Sequence, residues 1–307
     1  MSIARAALLR ASRSQFLADQ FRSRAFGRRA VRRFMPGEDM TAALAAADEF
    51  SAEGIGTVLT NLGEQISTRE EADAVRQHYM SLLDAVRERG LPTEISVKLT
   101  HLGLAVDVGA CMENVRALVA AAGAAGSTVW LDMEESTYVD ATLALYRQLR
   151  SDHQRVGLCL QAYLHRTPAD VESLLPLAPS IRLVKGAYRE PADIAHARKG
   201  DTDVAFVTLA KRLLDHSPAG AFTVLGTHDA RIIEDVREYA ERQKLPARAY
   251  EVHMLYGIRA AMQRDLARSG TSVRVLISYG EHWFPWYMRR IAERPANLWF
   301  VVRNLMA

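Results

Sequence analysis

Near the C-terminal end, residues 278–297 read SYGEHWFPWYMRRIAERPAN. Trp286, Arg289, Arg290 and Glu293 are spaced by three and four residues, so on a helix they share one face. Pro285 suits the first turn of such a helix, where its missing N–H costs nothing. Met288, Ile291 and Ala292 form the seam that packs it down. Two adjacent guanidiniums beside an aromatic ring suit a small carboxylate, because arginine's planar fork donates in pairs. The same spacing also describes an ordinary surface pair, Arg289 with Glu293, beside a solvated Arg290. On these residues alone the surface pair is the simpler reading.

Other chemistry-bearing residues stand where apolar runs end. They are Thr60, Asn61 and Glu64; Lys98, Thr100 and His101; Asp132 and Glu134; Gln161 and Tyr163; Lys185 and Tyr188; Thr227, His228 and Asp229; His253; and Tyr279, Glu281 and His282. Arg182 lies within its run. Lysine is seldom buried without a partner, so Lys98 and Lys185 are expected to point into a shared opening.

The elements that must position these groups follow from the runs themselves. Apolar or β-branched segments recur at 55–59, 95–99, 129–131, 156–160, 181–184, 222–225, 249–252 and 273–277. Helical stretches lie between them, among them 69–89, 108–122 and 203–216. Strands alternating with helices predict parallel βαβ units, and eight such strands close a (βα)₈ barrel. Strands covered on both faces read as continuous apolar runs, as these do. In such a barrel the C-terminal strand ends share one rim, where catalytic residues collect. The segment 39–53 predicts an alanine-rich helix.

The 307 residues, 49% hydrophobic, suffice for one large core. We read 1–53 as an N-terminal helical cap and 54–307 as the catalytic barrel, the two forming one structural unit. A net charge of +3 is too mild to point to nucleic acid. Nine arginines face one acid, Asp19, within residues 1–33. That pattern fits a solvated helical cap, a transit peptide or a basic helix touching anionic lipid, and the cap is preferred. Cys111 and Cys159 both lie in apolar surroundings, which predicts reduced, buried thiols and a cytoplasmic protein. No apolar run is long enough to span a bilayer, so membrane contact is expected to be peripheral.

Several chemistries find no support. There is no G-x-G-x-x-G after a strand and no Walker loop. His228, Asp229 and His253 lack metal-ligand spacing, so no metal is expected, and His253 reads as a hydrogen-bonded core histidine. A Schiff-base lysine, Lys98 or Lys185, is one alternative. A rim of cations and aromatics without an evident nucleophile suits an anionic cofactor and a carboxylate substrate, with the cofactor supplying the chemistry.

The segments IRLVKGAYRE (181–190) and YMRRIAERPAN (287–297) resemble those of the monofunctional bacterial proline dehydrogenases. LTNLGE (59–64), SVKLTHLG (96–103), WLDMEE (130–135), LQAY (160–163) and THD (227–229) follow in the family's order. The resemblance implies a distorted (βα)₈ barrel, with the last helix over its mouth, that binds FAD. The implied reaction oxidises L-proline to Δ1-pyrroline-5-carboxylate and passes electrons to a membrane quinone. Carried over residue by residue, it implies that Arg289 and Arg290 pair with the substrate carboxylate, that Lys98 adds a third cation and that Asp132 supports them. Arg182, Gln161 and Lys185 would contact the flavin, with Gly186, Ala187 and Thr227 in the same cofactor set. His228 and Glu293 would hold its distal parts. Tyr188 would flank the substrate, and Glu64 would gate the pocket by pairing with the first arginine.

This chain departs from that pattern at Leu276 and Trp286, where the family usually has tyrosine, and at Ser278, where it usually has proline. The resemblance implies that the first departure falls near the far edge of the substrate ring, where leucine offers no partner for a ring hydroxyl. Proline therefore stands first, with hydroxyproline or another cyclic imino acid as the alternative, and a non-catalytic proline-binding barrel or an aldolase behind them. A fused aldehyde dehydrogenase would need hundreds more residues, so the next oxidation is assigned to a separate pyrroline-5-carboxylate (glutamate semialdehyde) dehydrogenase.

Overall fold

The computed structural model describes residues 33–246, 248–284 and 288. Within them, eight parallel strands close into a barrel in sequence order. They are β1 (Gly56–Asn61), β2 (Thr93–Lys98), β3 (Val129–Asp132), β4 (Val156–Gln161), β5 (Ser180–Val184), β6 (Phe222–Gly226), β7 (Tyr250–Leu255) and β8 (Val273–Tyr279). Each predicted strand is present, with ends displaced by up to three residues. β1 pairs with β8 in parallel from Gly56↔Arg274 to Asn61↔Tyr279, which seals the cylinder.

The helices outside it are α1 (Met40–Ala52), α2 (Arg69–Glu88), α3 (Val108–Ala124), α4 (Val139–Asp152), α5 (Thr167–Leu174), α6 (Lys199–Asp215), α7 (Ala230–Arg242) and α8 (Ala260–Arg268). Their starts are written locally. Thr68 and Glu71 form a reciprocal capping box on α2, and Asp39, Asp107 and Asp229 cap α1, α3 and α7. α6 begins four residues before the predicted start, with Asp203 in its second turn. Helix α1 stands against β1 and β8, its Phe50 edge-on to Tyr256 at 6.1 Å and its C-cap Glu53 paired with Arg264.

Alternation along each strand divides the side chains between two layers. On β8, Val273, Val275 and Ile277 join the main core between sheet and helices. Arg274, Leu276 and Ser278 take the other face, toward the barrel axis. There Val58, Trp130 and Val224, with Phe222 and Leu276, form a small apolar plug. Below the plug lies an ionic layer: Arg274 pairs with Glu251 at 3.1 Å and Glu94 at 3.5 Å. His253 Nε2 meets Glu251 at 3.2 Å in a buried setting, as expected of a core histidine. Both cysteines are free and buried. No helix among the described residues is long and apolar enough to cross a membrane.

Candidate active site

Above the plug, at the C-terminal end of the barrel, strand register assembles a charged group. Lys98 and Asp132 are direct partners on β2 and β3, and so are Ser96 and Trp130 two residues earlier. Cys159 and Arg182 are partners on β4 and β5. Inward-facing side chains on registered neighbours meet, and Lys98 Nζ lies 3.4 Å from Asp132 Oδ2. Arg182 reaches across from β5, and its Nη2 donates to Asp132 Oδ1 at 2.5 Å and to Ser96 Oγ at 2.7 Å. Ser96 Oγ also donates to Asp132 Oδ1 at 2.7 Å. The Arg182 side chain is 3% exposed and that of Lys98 17% exposed, so the lysine opens to the mouth and the arginine lies beneath it.

The charges hold one another in place. Burial works against the Asp132 carboxylate, but Lys98 and Arg182 more than reverse this and hold its pKa below the ordinary value. Burial likewise works against the Lys98 ammonium, yet Asp132, then Tyr188, Glu134 and Glu64, raise it above the usual lysine range. Lys98 therefore stays charged at neutral pH. That is the opposite of what a Schiff-base lysine needs, since its amine must be free.

Three loops converge above this group. Glu134, after β3, accepts from the Thr100 backbone N–H at 3.0 Å and from its hydroxyl at 2.5 Å, and burial raises its carboxyl pKa. Thr100 Oγ1 accepts from Gln65 N at 3.3 Å, in the loop that carries Glu64. His101 packs over Gly63 so closely that a Cβ there would lie 2.2 Å from the imidazole. Burial first, then His282 and Lys98, push the His101 pKa down to about 4.

The remaining expected site residues fall into several groups. Gln161 is buried; its Nε2 donates to Met133 O at 3.1 Å, while Oε1 has no partner. Leu276 lies in the apolar plug under the mouth. Tyr188 and Glu64 lie close enough to Lys98 to influence its charge. Lys185 does not join Lys98 in the triad, although both were expected at one opening. Its ammonium lies 2.5 Å from Asp203 and 3.2 Å from Asp229, at the starts of α6 and α7. Gly186 has φ +122° and lies under the Tyr163 ring, so only glycine fits there without strain. Ala187 is exposed. Thr227 Oγ1 accepts from Asp229 N at 3.2 Å, and His228 Nε2 accepts from Leu255 N at 2.8 Å. Trp286, Arg289, Arg290 and Glu293 lie outside the described residues.

Residues that the sequence reading passed over also belong here. Ser96 and Trp130 stand two positions before Lys98 and Asp132, and strand alternation alone would have flagged them. Asp203 carried no such signal, because its meeting with Lys185 depends on how α6 packs back onto the rim. A hollow of about 600 Å³ opens at the other end of the barrel, lined by Gly56, Phe222, Glu251, Ser272 and Arg274. Glu251 and Arg274 are already paired to each other there.

Comparison with known proteins places this geometry in a family. Residues 43–303 match the family model "Proline dehydrogenase". The chain is 35% identical over 285 residues to "Proline dehydrogenase 1" of Bacillus subtilis subsp. natto, covering 92% of this chain and 93% of that one. It is 37% identical over 279 residues to "Proline dehydrogenase" of Deinococcus radiodurans, covering 89% of each. A crystal structure of proline utilization A from Bdellovibrio bacteriovorus, inactivated by N-propargylglycine, superposes with a TM-score of 0.82 at 22% identity. The match covers 87% of this chain and 33% of that longer one, and it bears on the fold alone. With the barrel, the order of the rim motifs and these matches in agreement, the chain belongs to the proline dehydrogenase family.

Proposed function

We propose that the chain oxidises L-proline to Δ1-pyrroline-5-carboxylate with FAD as cofactor and passes the electrons to a membrane quinone. The observation that carries this reading is the Lys98–Asp132–Arg182 group, a net cationic cluster at the barrel mouth built on registered strands. Relatives at 35% and 37% identity that bear the name proline dehydrogenase support the substrate. A flavin fits the polar atoms left over. Arg182 Nη1 and Gln161 Oε1 are buried without partners, one a donor and one an acceptor, and a buried polar atom left unpaired is costly. A flavin edge offers both acceptors and a donor.

When bound, FAD supplies the acceptor for the two electrons and the hydrogen that leave the ring carbon. The chain's own residues do the rest. Lys98, with Arg289 and Arg290, grips the carboxylate and fixes the ring's orientation. Asp132 holds Lys98 and Arg182 in register and keeps both charged. Arg182 places positive charge where negative charge develops on reduction. Between cations and out of water, the substrate amine loses its proton more readily, so no strong base is required. Lys185, Gly186, Ala187, Thr227, His228 and Glu293 serve the cofactor, Tyr188 and Trp286 wall the substrate, and Glu64 gates it. Electron delivery to quinone places the working enzyme peripherally on the inner face of the membrane. A separate pyrroline-5-carboxylate dehydrogenase takes the product.

One observation favours a second substrate. Ser278 lies two residues beyond Leu276 on the same face, buried, and its hydroxyl has no partner. A ring hydroxyl could satisfy it. The test is anaerobic titration of FAD-loaded protein with L-proline and with trans-4-hydroxy-L-proline, following flavin absorbance. Bleaching by proline at lower concentration is expected. Protein that stays colourless after incubation with FAD, or yellow protein that neither compound bleaches, overturns the proposal.

A further inference from the structure

Beneath Arg182 lies a side chain to which the reaction above gives no role. Trp130 is 1% exposed, inside the barrel and two residues below Asp132. Its Nε1–H donates to Glu94 Oε2 at 2.6 Å, and Glu94 is held in turn by Arg274. Its registered neighbour on β4 is Gly157, where a Cβ would come within 2.4 Å of the indole. The ring is thus wedged on one side and tied at its nitrogen. The His253 ring meets it edge-on at 5.5 Å. The Arg182 guanidinium lies over its face, 5.3 Å from the ring centroid.

A guanidinium has two faces and two outer amino groups to satisfy. In Arg182, Nη2 is taken by Asp132 and Ser96, the indole covers one face, and Nη1 is buried without a partner. Arginine has several rotatable bonds, and the anchors at Asp132 and Ser96, with the Cys159 thiol alongside, still leave the plane of the head free to tilt. The buried ring removes this freedom, and contact of a cation with a desolvated aromatic face is itself favourable. We propose that Trp130 is a positioning residue. It is the platform that fixes the Arg182 guanidinium, and with it the unpaired Nη1, at the place where charge appears on the reduced cofactor. The inference rests on the flavin reading above. Trp130 acts on the cofactor through Arg182, and Glu94 and Gly157 act through Trp130.

The experiment is a redox titration of FAD-loaded protein against a reference dye, for wild type, Trp130→Leu, Trp130→Phe, Arg182→Met and the Trp130→Leu/Arg182→Met double variant. Circular dichroism melts show which variants fold. A loosened cation stabilises the reduced cofactor less. Trp130→Leu is therefore expected to weaken binding of reduced relative to oxidised FAD about tenfold, which lowers the two-electron midpoint potential by about 30 mV. The proline KM is expected to stay unchanged while kcat falls. Trp130→Phe keeps a ring face and is expected to shift the potential in the same direction by less, which preserves the test should the leucine variant fail to fold. In the Arg182→Met background Trp130→Leu is expected to add no further shift, as a residue acting through Arg182 must. A folded Trp130→Leu protein with the wild-type potential, or a shift that adds in full to that of Arg182→Met, overturns the platform and leaves the flavin reading standing. A wild-type chain that takes up no FAD overturns both.

Discussion

Lys98 is the residue whose removal separates substrate binding from folding. Its ammonium has three donors, and its contact with Asp132 is long, at 3.4 Å, whereas Arg182 meets the same carboxylate at 2.5 Å. Both cations hold the Asp132 carboxylate, but Arg182 and Ser96 stay hydrogen-bonded to it in Lys98→Met, so no buried charge is left without a partner. Removing one member of a buried ion pair is costly when it strands the other, but Arg182 remains on Asp132, so the thermal midpoint is expected to fall by less than it does in Asp132→Ala. Binding of a substrate carboxylate is different. A hydrogen bond to a charged group contributes about 1.5–3 kcal/mol, so the KM for L-proline should rise roughly 10- to 150-fold. Stopped-flow reduction of FAD-loaded protein measures it, with pyrrolidine, which has no carboxylate, as the control substrate. The loss should be confined to proline. An equal loss with both compounds, or none with proline, would refute the assignment of Lys98 to the carboxylate.

Three further outcomes follow from the same geometry. Asp132→Ala leaves Lys98 and Arg182 as uncompensated cations and should cost about 3–5 kcal/mol of stability in urea unfolding; adding Lys98→Met should recover part of it. His101 titrates at about 4 rather than its ordinary 6.5. Between those values the unfolded chain takes up a proton that the native state refuses, so stability falls with pH across that window, by roughly 3 kcal/mol. Because the raised Glu134 carboxyl works in the opposite sense, the comparison is wild type against His101→Gln, whose urea midpoint should fall less on acidification. Arg150, buried at the barrel floor, donates to the carbonyls of Gln154, Val156, Leu177 and Ala178. Arg150→Met leaves those carbonyls unpaired and should cost about 1–3 kcal/mol in a thermal melt, with the proline KM unchanged.

The barrel was legible in the sequence because its signals are local. Eight apolar runs of the right length, parted by helical stretches with Asp39, Thr68, Asp107 and Asp229 as caps, fix both strand number and order. Lys98, Asp132, Gln161 and Arg182 could be picked out as site candidates because charged or amide groups in or beside buried strands must find a use. Their grouping could not be. Which residue on β2 faces which on β3 depends on register, and register is settled by the closing of the whole cylinder. The reach of Arg182 across to Asp132 depends on a platform, Trp130, whose space comes from a missing side chain at Gly157 on another strand. Lys185 shows the same limit. Its sequence position resembles that of Lys98, yet Asp203 and Asp229 hold it, because α6 and α7 begin beside it in space. Chain chemistry specified strand, helix and charge, each set over a few residues. The balance among buried charges arose only in three dimensions, because Coulomb and hydrogen-bond energies depend on distances that the linear order of residues does not contain.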